Sequence, residues 1–322
     1  MAEAPGDGRV GAALRDAARR LEAVSDTARL DAELLMAEAL GVPRSDLLLR
    51  CMGDAVPVQF TELVARRLSH EPIAYIIGRQ EFFGLDLEVS RSVLIPRGDS
   101  ETIVEAARQA CGARAPERIL DLGTGSGALL LAALSIWPGA EATGIDREPS
   151  AIETAMRNAH RVRINEAAGT DTGAPPSAGV ESGNLSGPAS AAGHAERARF
   201  LLRDWRESGW HDHLSRFDLI LANPPYVEEG AALDPSVREW EPAGALFAGA
   251  EGLDDYRVLV PQLPALLQPA GTAVIEIGAS QADAVSRIAT QAGLATSLHR
   301  DLAGRPRALV LRLALGKAGA SG

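Results

Sequence analysis

The chain has 322 residues, 46% of them hydrophobic and 23% charged, with a formal net charge of −11. This is an ordinary globular composition with room for one large domain and a smaller one, and the acidic balance argues against a broad phosphate-tracking surface, which would need clustered Lys and Arg. No apolar run reaches the roughly 18 residues of a membrane span, and the two cysteines, Cys51 and Cys111, lie far apart without metal-ligand spacing, so unpaired thiols in a reducing compartment are expected.

In chain order, the opening MAEAPGDGRV lacks the basic and apolar regions of a signal peptide, so a cytoplasmic location is expected. Val10, Leu14, Ala17, Leu21 and Val24 recur at helical spacing. Leu30, Leu34, Leu35, Ala37 and Leu40 form a second stripe, which Gly41 and Pro43 end. A third helix is predicted from Pro57 to Ser69. None of these carries a catalytic signature, so residues 1–79 read as a small helical domain. Alternation at Phe83, Leu85, Leu87 and Val89, then the apolar Val93 to Ile95, predicts a linking β-hairpin over 80–97.

From residue 98 the pattern becomes α/β. Strands are predicted at Arg118 to Leu122, Glu141 to Ile145, Arg199 to Leu202, Phe217 to Leu221 and Thr272 to Ile277, with further apolar stretches at Leu294 to Leu298 and Ala308 to Leu313. Helices are predicted at Leu129 to Ile136, Ser150 to Arg161 and Tyr256 to Leu267. This alternation implies a mostly parallel sheet covered on both faces, a doubly wound arrangement. Glu166 to Glu196, rich in Gly, Ala, Ser, Pro and Thr, has too few large apolar residues to offset its ordering entropy and reads as a flexible insertion.

The run Ile119-Leu120-Asp121-Leu122-Gly123-Thr124-Gly125-Ser126-Gly127 takes a buried strand into three alternate glycines and then a helix. Glycine permits a tight turn and close backbone approach to a ligand, and the helix start offers oriented N–H donors. Asp146 ends the next strand, where a carboxylate can accept both hydroxyls of a ribose. A dinucleotide dehydrogenase shares this layout but spaces its glycines G-x-G-x-x-G. The D-x-G-x-G-x-G form, with an acid on the strand, resembles the first motif of class I methyltransferases, and on that likeness Asp121 helps position the methionine part of S-adenosylmethionine or its amino group. Gly123, Thr124, Gly125, Ser126 and Gly127 are the expected loop contacts. Trp205, after the third strand, is a candidate to pack on an adenine ring.

The fourth strand ends in Asn223-Pro224-Pro225-Tyr226. Ligands of open α/β sheets sit beyond the carboxyl ends of the strands. Two prolines stiffen the backbone there and remove its N–H donors, so the groups expected to face a ligand are acceptors, the Asn223 side-chain oxygen and the Pro224 carbonyl, beside the flat ring of Tyr226. That array suits a planar nitrogen bearing two hydrogens. Binding both N–H groups pushes electron density onto a poorly nucleophilic nitrogen as positive charge develops and fixes its line of attack.

These residues resemble those of the protein-(glutamine-N5) methyltransferases that modify bacterial peptide-chain release factors, and the likeness covers nearly the whole chain. Further matches are Glu71 to Leu85, Val93 to Arg97, Glu241-Pro242 and Asp301 to Arg305. One departure is Gly98-Asp99-Ser100-Glu101, where the family usually has Pro-Glu/Asp-Thr-Glu. The resemblance implies a class I, Rossmann-like methyltransferase domain over 98–322 with a seven-stranded sheet, S-adenosylmethionine as cofactor and S-adenosylhomocysteine as product, catalytic and substrate-binding Asn223 to Tyr226, and Asn223 also at the cofactor. It further implies, as substrate, the glutamine of the Gly-Gly-Gln loop in class 1 release factors, with the helical domain helping to dock that partner; no direct nucleic-acid or membrane partner and a monomeric state are expected. A sister enzyme acting on a ribosomal-protein glutamine is the nearer rival. A DNA adenine-N6 methyltransferase, which uses a similar motif but must extrude a base from a duplex, fits the acidic chain poorly.

Overall fold

The structure, a computed structural model, describes residues 9–169 and 193–314, with 163–169 as backbone only. It contains two compact units: the chain up to Arg79 with residues 89–91 and 232–241, and the remainder. Residues 232–241, which the sequence reading left in the α/β domain, thus belong to the helical unit.

The helical unit holds α1 (Val10–Leu21), α2 (Ala28–Leu40), α3 (Arg44–Arg50), α4 (Gln59–Leu68) and α5 (Ile73–Ile77). The stripe Val10, Leu14, Ala17 and Leu21 is buried as its spacing requires, against Leu35, Met36, Phe60 and Val64. α3 and α5 are short elements without a full helical stripe, which explains why periodicity did not find them. Asp31 and Arg67, both buried, pair at 2.8 Å, as charges removed from water must.

The second unit begins at Gln80, within a hairpin of β1 (Arg79–Phe82) and β2 (Leu85–Glu88). Its two-residue turn puts Phe83 at φ +51° and Gly84 at φ +77°, the positive-φ pair that matches strand twist in tight hairpins. The expected hairpin over 80–97 is therefore too long: residues 89–97 form no strand. α6 (Glu101–Cys111) follows, with Ile103, Val104, Ala106 and Ala107 buried.

The main sheet comprises β3 (Arg118–Leu122), β4 (Glu141–Asp146), β5 (Ala198–Leu202), β6 (Phe217–Ala222), β7 (Leu267–Glu276), β8 (Leu294–Arg300) and β9 (Pro306–Leu313). Among the described residues it is seven-stranded, in the order β5-β4-β3-β6-β7-β9-β8, with β9 antiparallel to both neighbours and the other pairings parallel. β3 and β6 are adjacent although β4 and β5 intervene in sequence, so strand order reverses between them, the place where ligands of such sheets bind. Their register pairs Leu122 with Ala222. The glycine loop and Asn223 therefore leave the sheet side by side.

α7 (Ala128–Ile136) is apolar on nearly every face and sunk in the core, as such a helix must be. α8 (Pro149–Gly169) runs on where the sequence reading began its insertion at Glu166, and α9 (His194–Arg197) re-enters with His194 buried, within 3.0 Å of Ser135 Oγ. Both ends of the expected loop are thus helical; its middle, 170–192, lies outside the described residues. The short α10 (Pro235–Arg238) belongs to the helical unit and α11 (Ala243–Leu246) to the sheet unit. The helix predicted from Tyr256 to Leu267 is broken into α12 (Asp254–Leu259), a 3₁₀ turn and α13 (Leu263–Leu266). Pro261 and Pro264 lack the N–H groups that a continuous helix needs. Leu267 already belongs to β7, and α14 (Ala282–Gln291) packs beside β8.

Candidate active site

A cavity of about 350 Å³ opens at the carboxyl ends of β3, β4 and β6, within the range of small-molecule sites. Gly123, Thr124, Gly125 and Ser126 line one side; Asp146, Trp205, Asn223 and Pro225 contribute to the rest. Asp121, Gly127, Pro224 and Tyr226 are not among the residues that line it; Asp121, Gly127 and Tyr226 have other tasks, and Pro224 is buried at the end of β6.

Gly123 and Gly125 have φ of +74° and +54°, which side-chain-bearing residues rarely adopt. The N–H groups of Gly123 and Thr124 both bind the Ile145 carbonyl, at 2.9 and 2.8 Å, which locks the loop to β4. Gly127, at φ +83°, serves packing: a Cβ there would lie 3.3 Å from Ala155 Cβ of α8. Gly144, which the sequence reading passed over, does similar work, since a Cβ would stand 2.8 Å from the Phe200 ring and 2.9 Å from Thr124 Oγ1.

Asp121 was expected to face the cofactor. Instead it is buried beneath the loop and accepts a 2.7 Å hydrogen bond from Thr124 Oγ1. Burial pushes its carboxyl up to about 7, the nearby Asp146 charge adds to this, and the Thr124 hydroxyl opposes it. Asp146 does line the cavity. Its two oxygens accept the backbone N–H groups of Gly125 at 2.9 Å and Glu148 at 3.0 Å, which oppose the upward push of burial on its pKa. The carboxylate keeps acceptor capacity for a ligand.

Trp205 lies against the loop, its ring edge 3.1 Å from where a Cβ on Gly123 would be. Its indole N–H binds Asp255 Oδ1 at 3.1 Å, and Arg206 holds the same carboxylate with two further bonds. Tyr226, whose flat ring was expected beside a ligand, donates its hydroxyl to Glu276 Oε1 at 3.0 Å. The Tyr226 carbonyl accepts from Gln281 Nε2, also at 3.0 Å. Asn223 Nδ2 donates to Ser100 Oγ at 3.3 Å, and Ser100 Oγ donates to Glu276 Oε2 at 2.6 Å.

Residues 12–78 match the PrmC N-terminal domain and residues 114–168 a methyltransferase domain. The release factor glutamine methyltransferase of Rhodospirillum rubrum is 38% identical over 293 residues, 88% of this chain and 78% of that protein. That of Geobacter sulfurreducens is 39% identical over 277 residues, 83% of each chain. The chain belongs to the release factor glutamine methyltransferase family.

In this family member, the polar residues that sequence reasoning missed support the site from behind. Asn158 of α8 is fully buried and donates from Nδ2 to the Ser126 carbonyl at 2.8 Å, tying the helix to the glycine loop. Ser100, Glu276 and Asp255 likewise act on residues distant in sequence. The one local signal was Glu276 itself, a carboxylate closing an apolar strand, which must find partners when buried.

Proposed function

We propose that this chain transfers a methyl group from S-adenosylmethionine to the side-chain amide nitrogen, N5, of the glutamine in the Gly-Gly-Gln motif of class 1 peptide-chain release factors. Family membership supports the reaction class and the substrate. The observation that carries the chemistry is the Leu122–Ala222 register, which sets Asn223 beside the glycine loop on one cavity.

The residues present fit the cofactor. The backbone at Gly123 and Gly125 leaves a cradle at positive φ, Asp146 brings acceptor oxygens to the cavity, and Trp205 brings a flat apolar ring. When bound, S-adenosylmethionine supplies an electrophilic methyl group on a sulfonium. Asp146 is assigned to the ribose hydroxyls, Trp205 to the adenine, and the loop N–H groups and Ser126 to the remaining polar contacts. Asp121 acts on the loop through Thr124 rather than on the ligand.

On the substrate side, Asn223 Oδ1 and the Pro224 carbonyl accept the two N–H groups of the glutamine amide. This holds the nitrogen's lone-pair axis toward the methyl and stabilises positive charge as it forms on nitrogen. Pro225 narrows that wall, and Tyr226, anchored through its hydroxyl, keeps the end of the motif fixed. The helical unit, which matches the PrmC N-terminal domain, is assigned to recognition of the release factor.

Mass spectrometry of a class 1 release factor after incubation with the chain and S-adenosylmethionine tests the proposal. One added methyl on the Gly-Gly-Gln glutamine is expected; an unmodified factor, or a methyl elsewhere, overturns it. Asp146→Ala is expected to weaken cofactor affinity about ten- to a hundred-fold, the loss of a hydrogen bond to a charged group. An unchanged dissociation constant by calorimetry would remove Asp146 from the ribose.

A further inference from the structure

Glu276 is 2% exposed, yet it sits at the carboxyl end of a central strand beside the cavity-lining Asn223 and Ser100. Both of its side-chain oxygens are engaged by hydroxyls, Oε2 by Ser100 at 2.6 Å and Oε1 by Tyr226 at 3.0 Å. Its own main-chain carbonyl accepts the Tyr256 hydroxyl at 2.8 Å.

A serine hydroxyl has one proton. The carboxylate at 2.6 Å is the stronger acceptor and takes it. Toward Asn223, at 3.3 Å, Ser100 Oγ then offers only lone pairs, so it must meet the amide NH2 group. An asparagine amide is nearly symmetric in shape, and its hydrogen-bond partners decide which way round it sits. With Nδ2 held by Ser100, Oδ1 is the end of the Asn223 amide left for a ligand.

We infer that Ser100 and Glu276 are positioning residues that act through a hydrogen-bond relay to hold the Asn223 amide with its oxygen available to the substrate NH2 group. The inference rests on the proposed role of Asn223 and deepens it. Turned the other way, Asn223 would present NH2 to NH2, a donor facing a donor, and the nitrogen would lose the acceptor that stabilises its developing charge. Threonine also keeps a β-hydroxyl on an sp³ carbon, so S100T would preserve the relay.

Glu276→Gln separates this role from packing, because it keeps the shape and changes the donors. With Oε1 still accepting from Tyr226, the new Nε2 donates to Ser100, whose proton is then released toward Asn223 and favours the inverted amide. The experiment measures kcat, KM for a release factor, cofactor dissociation constant and thermal midpoint for E276Q, S100A, S100T, N223A and the S100A/N223A double variant. The expected result is a fall in kcat of about 10²-fold in E276Q and about tenfold in S100A. S100T should stay within about threefold of the parent, and cofactor affinity should hold within about twofold throughout. In the N223A background, S100A should have no further effect, since the two act as one unit.

If E276Q and S100A both turn over within about threefold of the parent while N223A is inactive, the relay is refuted and the role of Asn223 stands. A multiplicative loss in the double variant also refutes it, as does a parallel loss of cofactor affinity. Near-normal turnover by N223A would refute the underlying reading instead. Should E276Q not fold, the S100A and S100T pair with the double variant decides the matter alone.

Discussion

Asn223→Ala is expected to cut turnover by about 10²–10³-fold while leaving S-adenosylmethionine affinity within about twofold. The magnitude is that of removing one preorganised polar partner from a site where charge develops during reaction. The substrate amide nitrogen starts nearly neutral and becomes positive as the new bond forms. An acceptor on its N–H group therefore gains strength on the way to the transition state, and its loss appears in kcat more than in KM. Alanine leaves the neighbouring prolines in place, so the strand end should keep its course, and Asn223 is only part-buried, so folding should survive. Single-turnover rates with labelled cofactor, set beside calorimetric binding, check the claim. A variant that transfers methyl at a near-normal rate would dismiss Asn223 as the acceptor.

Asp121→Asn should change the pH dependence of stability by about 2–3 kcal/mol between pH 5 and pH 8. In the folded chain, burial first and the Asp146 charge next raise the Asp121 carboxyl from 3.8 to about 7. Between those two values the folded chain retains a proton that the unfolded chain has lost. Raising the pH through this window strips the proton and leaves a charge that is almost fully buried. Stability from this residue is therefore fullest below about pH 4 and declines until the pH passes about 7. Asparagine does not titrate, so the difference in unfolding free energy between variant and parent should move in the variant's favour as pH rises. Denaturant unfolding at both pH values measures it. A difference that stays flat would mean that the folded carboxyl ionises at its ordinary pH.

What the sequence made legible was local. β3, its glycine loop and α7 could be read together because an apolar run, three alternate glycines and a second apolar run are contiguous. Asp146 and Asn223 were visible because each ends a strand that the pattern had marked. Less legible were residues whose meaning depends on distant partners: Ser100 meets Glu276 across 176 positions, and Trp205 meets Asp255 across 50. Periodicity carries no information about such pairings. Asp121 and Tyr226 lie in the right motifs but outside the cavity lining, since a motif fixes the order of residues and not which way each side chain turns. Residues 166–169 were lost to the insertion because a low-complexity neighbour masked Glu166, Ala167 and Ala168, all good helix formers.

The pairing of Leu122 with Ala222 makes the two halves of the site share a ruler. Side chains alternate faces along a strand, so a slip of one residue in β6 would send Asn223 to the opposite side of the sheet and shift it by about 3.3 Å along the strand. Lengthening the connections before β6, by contrast, leaves the ruler untouched. Insertions between β4 and β6 should thus leave the register unchanged, and should be neutral to the chemistry where they also spare Asn158, which holds the glycine loop, and Trp205, which lines the cavity.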